Sequence, residues 1–489
     1  MVSVFFLASC TDRFEEMFEK TNTNPNQNEY GTIAASSLLT DVIFYTADGE
    51  IYRTYQLNGE IMQYTVHMYT ENVHRYIIRD SYVSGAWNYM ARWAANADHM
   101  EYLAEQQGDD NIRAAALTMR AYNIAAMTDI WGAVPFSDAF RAAGYRDSQD
   151  VTPEFDQQKD VYKRLLEDLA KANKLYNAAA PKDAFLENAD ILYGGDWSKW
   201  RKFTNSLRLR LLMRLSNRNG EMHVADSIAM IVRNPAEHPV FSGNEDGAIL
   251  RYTGIEPNVN RFGETTLASF TTNSRKMAEY LISLMDSVDD PRIGIYAIQQ
   301  NNQWKGLVSG FPSDETNANN CAYLNKNVLG DYTSPYAFMK YDEVLFILSE
   351  AALKGWITGD PEEYYNKGIL ASIDYWDGIN PSTVYKVSQA QRDQYLVKVA
   401  YNGSLQRIIE QKYIALFWVG YEAWCDYRRT GYPKLSVGPG TENGHEVPTR
   451  LVYPVSTVST NNENYKAAIA LQGEDNMQTP LWWSLKAVK

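Results

Sequence analysis

Hydrophobic residues recur along most of the chain at the three- and four-residue spacing that is typical of amphipathic helices. The clearest stripe runs from Tyr341 to Ala352 and places Val344, Leu345 and Leu348 on one face. Alternation of hydrophobic and polar residues, the pattern typical of half-buried strands, is scarce throughout the chain. The pattern therefore predicts a mainly helical chain.

Helix ends are marked well enough to predict helical hairpins. Gly355 and Gly359 end the helix that contains the stripe from Tyr341 to Ala352. Asp360-Pro361 supplies a capping carboxylate and a proline at the first position of the next predicted helix. The predicted fold class is mostly α, with tetratricopeptide-like helical hairpins packed with a loop-rich, partly irregular second half. The helices are predicted at 81–107, 111–131, 160–177, 196–217, 221–233, 273–287, 337–356, 361–377, 388–401 and 404–418.

Two long segments interrupt this helical pattern. Residues 299–336 are rich in Asn and Gly with scattered aromatic side chains, and residues 429–465 show little periodicity. Loops of this length inside a compact domain are usually functional or disordered. We predict a single domain over 29–489 with these two insertions.

The amino terminus has the pattern of an export signal. Residues 1–9 are apolar and read as the end of a signal peptide, and Leu7-Ala8-Ser9-Cys10 resembles a bacterial lipobox. Residues 10–28 would then be a lipidated Cys10 and a flexible tether, and the lipid would be the only contact with the membrane. A buried apolar strand with an incidental cysteine is the alternative. No later stretch approaches the 18 apolar residues of a membrane span.

Composition narrows the class of partner. The chain carries 46 Lys and Arg against 60 Asp and Glu, a net charge of −14 that argues against nucleic acid. Tyr is twice as common as Phe, 34 to 17, which suits surfaces that are apolar on the ring and wet at the tip. Three cysteines cannot form a disulfide framework in a chain this long. Cys321 and Cys425 are expected to be free and buried, and a disulfide between them stays open.

Motifs for catalysis or metal binding are not found. The six histidines form no His-x-x-x-His pair, so no zinc site is indicated, and neither a nucleophile elbow nor a phosphate-binding loop occurs. We therefore predict no metal, no cofactor and no enzymatic activity. A glycosidase needs only two carboxylates, so that alternative stays open.

Several motifs occur in order from one end of the chain to the other. They are Asn22–Asn26 after the lipobox, Trp131-Gly132-Ala133-Val134-Pro135-Phe136, and the segments Trp200–Arg210, Glu343–Trp356, Glu410–Phe417, Gly420–Gly431 and Asn476–Trp483. Together they resemble the SusD/RagB family of nutrient-binding outer-membrane lipoproteins, in particular its second SusD-like group.

The resemblance implies a mostly helical fold with four tetratricopeptide-like hairpins and no catalysis. It also implies display at the cell surface on the outer membrane, as a lid over a SusC-like TonB-dependent transporter. Family members bind glycans, and some bind peptides. The motifs themselves look structural: Asn205, Arg208 and Arg210 are expected to bond neighbouring backbone, and Trp482 and Trp483 to cap the core.

Candidate ligand residues come from the chemistry of sugars, which present an apolar face and a rim of hydroxyls to rings and polar side chains. One cluster lies in a polar-aromatic loop at 69–76 and another in the first insertion. For Trp304 the alternative is a ring that pins its loop, and for Arg75 and Tyr76 a solvated helix start. The candidates are Tyr69, Asn72, Arg75, Tyr76, Asn301, Trp304 and Tyr323.

Trp87 and Trp93 lie six residues apart on a predicted helix, so we expect at least one of them to face the core, and we interpret the pair as part of a core stripe.

The sequence thus predicts a surface lipoprotein that captures an oligosaccharide and passes it to a transporter. A peptide-binding member with the same architecture is the first alternative. A glycoside hydrolase and a helical-repeat interaction scaffold without a small ligand are alternatives from other classes.

Overall fold

Helices carry the fold in the computed structural model, which describes residues 33–70, 72–140, 151–181, 184–263, 275–312, 318–383 and 385–488. Cys10 and the tether, for which lipidation and flexibility are predicted, lie outside these residues. The helices of eight or more residues are α1 (Leu39–Arg53), α2 (Asp80–Gln107), α3 (Asp110–Trp131), α4 (Gln158–Leu175), α5 (Trp197–Arg214), α6 (Val224–Arg233), α7 (Glu279–Asp286), α8 (Tyr341–Leu353), α9 (Pro361–Ile379), α10 (Gln389–Lys398), α11 (Leu405–Ala415), α12 (Glu422–Thr430) and α13 (Asn462–Gln472).

Shorter elements connect these helices. The strands in the described residues form three two-stranded antiparallel ladders: β1 (Thr65–His67) with β3 (Arg275–Met277), β2 (Ala248–Leu250) with β6 (Tyr336–Met339), and β4 (Ala297–Ile298) with β5 (Tyr323–Leu324). Short α-helices span Gly59–Ile61, Ala184–Ala189, Asn219–Met222, Ile293–Tyr296, Lys326–Leu329 and Val455–Thr460.

Successive helices pack as hairpins, which confirms the predicted fold class. Gly108, with φ of 70°, ends α2, and the Asp109 carboxylate accepts a hydrogen bond from the Ile112 amide to begin α3. The alanines of α3 are buried on several faces, so α2 and α4 both approach it closely. In the α8–α9 hairpin, Gly368 lies against the ring of Phe346.

One continuous hydrophobic core runs through the helices and is closed at the carboxyl terminus by Trp483, which is fully buried. Trp482 is half-buried, with the guanidinium of Arg218 5.3 Å from its ring centre. Cys321 and Cys425 are both buried, as expected, and no disulfide joins them to each other.

Buried ion pairs join the helices that carry the motifs. Arg210 on α5 donates to both carboxylate oxygens of Glu343 on α8, at 2.7 and 2.6 Å. Arg429 on α12 donates to Glu350 at 2.7 Å and to Asp426 at 2.8 Å. Arg210 also donates to the Phe338 carbonyl at 2.9 Å, so the expected bond to neighbouring backbone is present together with an ion pair that was not predicted.

Asn205 also departs from a purely local role. Its side chain donates to the Arg201 carbonyl at 3.0 Å, as expected, and also to Asn173 on α4 at 2.7 Å.

The predicted helices at 273–287 and 337–356 each begin with a strand instead. β3 precedes α7 and β6 precedes α8, because a short apolar run fits either state and only a distant partner strand decides between them. Helices α1, α12 and α13 were not predicted. The second insertion, 429–465, also includes the helix Val455–Thr460.

Candidate functional site

An open cleft of about 520 Å³ lies along α1 and α2 beside Arg261. We call it the aromatic cleft. It is lined by Tyr45, Asp48, Gly49, Tyr52, Arg53, Tyr89, Arg92, Trp93 and Arg261.

Helical spacing explains why these side chains gather. Tyr45, Asp48 and Tyr52 lie three and four residues apart and so share one face of α1, and Tyr89 and Trp93 share one face of α2. The opposite side of α1 carries buried aliphatic residues, which hold the helix against the core. Packing of α1 on α2 brings the two polar-aromatic faces together.

Tyr45 and Trp93 form the main ring surface of the cleft. Their rings are stacked with centroids 4.8 Å apart and planes 9° from parallel. Tyr45 is 43% exposed and Trp93 is half-buried. The stacked pair holds both rings in fixed orientation, so little side-chain entropy is left to lose when a ligand is bound.

Arg261 forms the polar edge of the cleft. Its guanidinium lies 4.2 Å from the centre of the Tyr52 ring, and its Nε is 3.4 Å from Oδ1 of Asp48. It also donates to the Asp48 carbonyl at 3.2 Å. Burial raises the pKa of Asp48, and the Arg261 charge opposes that increase.

Two glycines allow the helices to carry bulky side chains between them. A methyl group at Gly49 would lie 2.3 Å from Cδ2 of Tyr89, and one at Gly85 would lie 2.1 Å from a terminal nitrogen of Arg53. Both distances are shorter than real Cβ contacts, but at Gly85 the methyl group would meet only the far end of the flexible Arg53 side chain, whereas at Gly49 it would overlap the Tyr89 ring. The shape of the cleft thus depends on Gly49.

A buried carboxyl group supports the cleft from below. Glu50 accepts hydrogen bonds from the hydroxyl groups of Tyr89 at 2.8 Å and Tyr336 at 3.1 Å. Burial raises its pKa to about 7, although these two hydrogen bonds lower it. The hydroxyl group of Tyr89, whose ring lines the cleft, therefore donates to a Glu50 carboxyl group with a pKa near neutral pH.

The chemistry of the cleft suits a polyhydroxyl ligand. Rings can cover the apolar face of a sugar, and the guanidinium groups of Arg53, Arg92 and Arg261 can donate to its hydroxyls. Asp48 is the one carboxylate among the residues that line the cleft. Within the described ranges, no group of three or more His, Cys, Asp or Glu side chains is arranged to hold a metal ion.

The predicted ligand residues at 69–76 are mostly engaged with the protein itself. Tyr69 is 64% exposed, but Asn72 is buried and donates to the Tyr69 carbonyl at 3.1 Å. Arg75 donates to Glu442 at 2.6 Å and to the Gly440 carbonyl, which ties this loop to the second insertion. Tyr76 is only 2% exposed, and its ring is part of the core.

The second predicted cluster is more open. Asn301 is exposed and donates to Asn320 at 2.8 Å. Trp304 is half-buried and packs on the core, as in the loop-pinning alternative. The ammonium of Lys276 lies 3.6 Å from the centre of the half-buried Tyr323 ring. None of the seven predicted residues lines the aromatic cleft, and their contact with a ligand stays a prediction.

Sequence reasoning missed the cleft because it missed α1 and treated Trp93 as core. Trp87 is 8% exposed and does face the core, as expected for at least one of the two tryptophans. The missed signal was the apolar repeat of Leu39, Val42, Ile43 and Ile51, which predicts α1 and leaves Tyr45 on the opposite face.

Solved structures show the same fold. A chitin-binding protein superposes with a TM-score of 0.80 at 24% identity, covering 93% of this chain and all of the other. A SusD homologue from Bacteroides fragilis superposes with a TM-score of 0.78 at 24% identity, and the match covers 92% of this chain and 99% of the homologue. A chitin-binding SusD homologue from Flavobacterium johnsoniae superposes with a TM-score of 0.74 at 23% identity, and the match covers 92% of this chain and 98% of that homologue.

Two further findings concern the membrane and curated relatives. Among the described helices, none combines the length and the apolar character that a membrane span requires. No curated protein matches the chain.

The profile of the SusD-like family's second group, described as starch-binding and associating with the outer membrane, matches residues 25–454. The chain belongs to this SusD-like family.

Proposed function

We propose that this chain is a cell-surface lipoprotein that binds a nutrient oligosaccharide in the aromatic cleft and delivers it, uncleaved, to a SusC-like TonB-dependent transporter. The observation that carries the proposal is the stacked pair of Tyr45 and Trp93, which is open to solvent beside the guanidinium groups of the cleft. Membership of a starch-binding, outer-membrane family supports it.

The shape of the cleft favours capture over catalysis. A glycosidase needs two carboxyl groups roughly 5–10 Å apart on either side of the bond that is cleaved. The cleft lining offers Asp48 alone, and that carboxylate is paired with Arg261. An open surface with a few stacking contacts also allows the release that delivery to a transporter requires.

The binding experiment is a calorimetric titration of the purified chain with three ligand classes. Chito-oligosaccharides are included because two structural neighbours are described as chitin-binding, malto-oligosaccharides because the family is described as starch-binding, and oligopeptides test the peptide alternative. We expect saturable binding of one sugar series, with affinity that rises with chain length until the cleft is filled. Binding of peptides alone would replace the proposed cargo, and product formation from any sugar would replace the proposed mechanism.

The anchor and the partner are tested in cells. We expect labelled palmitate to be incorporated into the wild-type protein and not into a Cys10→Ala variant, which should leave the outer-membrane fraction. Mild detergent extraction of the wild type should recover a large β-barrel transporter with it. A Cys10→Ala protein that stays in the outer membrane would contradict the lipid anchor, and recovery without a barrel would contradict the delivery step.

A further inference from the structure

A second cavity lies far along the chain from the residues of the aromatic cleft and shares none of its lining. It has a volume of about 340 Å³, within the roughly 300–1,000 Å³ range of small-molecule sites. It lies between the end of α12, the two segments around residues 434–437 and 445–449, and the carboxyl-terminal turn at 484–486.

The walls of this cavity are largely apolar. Leu435, Val437, Val447 and Leu485 line it together with the ring of Tyr427. Such walls gain free energy by contact with an apolar body and offer little to the hydroxyl rim of a sugar. The ligand class therefore differs from the one proposed for the cleft.

Arg428 adds to the cavity lining a buried positive charge that has no ion-pair partner within the described part of the chain. It is 5% exposed, and no carboxylate oxygen among the described residues lies within ion-pair distance of its guanidinium. Its hydrogen bonds go to the Thr449 carbonyl at 3.0 Å, to the Trp424 and Asp129 carbonyls, and to Sγ of Cys425. Desolvation lowers its pKa. A buried cation of this kind is stabilised when an anion binds nearby.

The charges at the cavity's edge have the same sign. Lys434 and Lys486 are exposed at the lining, and the one carboxylate there, Glu446, is paired with Lys486 at 2.5 Å. With Arg428 the lining holds three cations and one carboxylate, in a chain whose net charge is −14. This local excess of positive charge favours an anionic ligand.

We propose that this cavity is a second binding site, for an organic carboxylate with an apolar body. The carboxylate lies toward the cations, and the apolar body lies against Leu435, Val437, Val447 and Leu485. The site is separate from the aromatic cleft, so occupation of one does not require the other.

The test uses octanoate as the probe in calorimetric titrations of the full chain. We expect one octanoate to bind per protein, and neither 1-octanol, which lacks the charge, nor acetate, which lacks the apolar body, to bind comparably. Leu485→Trp, which fills the cavity, should abolish binding. Lys434→Met should weaken it about threefold.

Lys466→Met, at an exposed lysine on α13 outside the cavity, is the matched control and should leave octanoate affinity unchanged. Circular dichroism and thermal unfolding establish that each variant is folded. The proposal is overturned if octanoate does not bind, if 1-octanol binds equally well, or if a folded Leu485→Trp protein binds octanoate as the wild type does.

Discussion

Tyr45 and Trp93 stack face to face across two helices, with ring centroids 4.8 Å apart. The pair is fixed by the packing of α1 on α2 before any ligand arrives. Because a preorganised surface loses little freedom on binding, these rings should carry a large share of the binding free energy.

We expect Trp93→Ala to weaken oligosaccharide binding by about tenfold to a hundredfold, or ~1.4–2.8 kcal/mol, measured by calorimetry. Tyr45→Ala should have a smaller effect in the same direction, because the larger indole surface remains. Phe185→Ala removes an exposed ring outside the cleft and is the control. If Tyr69→Ala or Trp304→Ala abolished binding and Trp93→Ala did not, the ligand would lie at the clusters predicted from sequence.

The buried Glu50 should make stability depend on pH. Its pKa is raised from 4.5 to about 7, so the folded state holds a proton that the unfolded state has lost between these values. This contribution is therefore present in full below pH 4.5 and is lost as the pH rises through 7, at a cost of up to roughly 3 kcal/mol.

Glu50→Gln keeps a neutral, hydrogen-bonding side chain at every pH, so it should reduce the loss of stability between pH 5 and pH 8. Urea unfolding of both proteins at the two pH values measures this difference, and titrating groups that do not interact with Glu50 cancel in the comparison. An identical pH dependence in wild type and variant would show that Glu50 keeps an ordinary pKa.

Removing one partner of the Arg210 and Glu343 pair should lower the free energy of unfolding strongly, whereas replacing both partners should lower it much less. Arg210→Met leaves a buried carboxylate without its guanidinium and should lower the free energy of unfolding by about 3–5 kcal/mol. Adding Glu343→Met should recover most of this loss, since no unpaired charge remains. Lys367→Met, which breaks the exposed pair with Glu363, should cause no measurable loss in the same urea titration.

Gly49→Ala should disturb the cleft through Tyr89. The added methyl group would overlap the Tyr89 ring, and we expect a loss of ~1–3 kcal/mol in stability together with weaker oligosaccharide binding. Gly220→Ala is the control, because nothing lies within 4 Å of the added methyl there. Gly49→Ala with unchanged stability and affinity would mean that the Tyr89 ring moves aside freely.

Sequence alone predicts the helices whose ends are marked by capping or terminating residues next to them in the chain. The bounds of α2, α3 and α9 follow from Trp131-Gly132 and from Asp360-Pro361, and the structure places them within one or two residues of the predicted positions. β3 and β6 could not be predicted in this way, because their partners lie more than 80 residues away in the chain.

The candidate site was harder to predict for a related reason. Tyr45 and Trp93 are 48 residues apart, and only the packing of α1 on α2 shows that their rings meet. The burial of Tyr76 was not predicted, because its polar neighbours indicate an exposed loop, whereas its ring joins the core. Local polarity does not reveal which way a turn directs its side chains.

The interior ion pairs separate what holds the molecule together from what it recognises. The charged side chains of the shared motifs neutralise one another inside the bundle, while Tyr45 and Trp93 lie on its outer faces. Exchanging outward rings would thus alter the preferred cargo at little risk to folding.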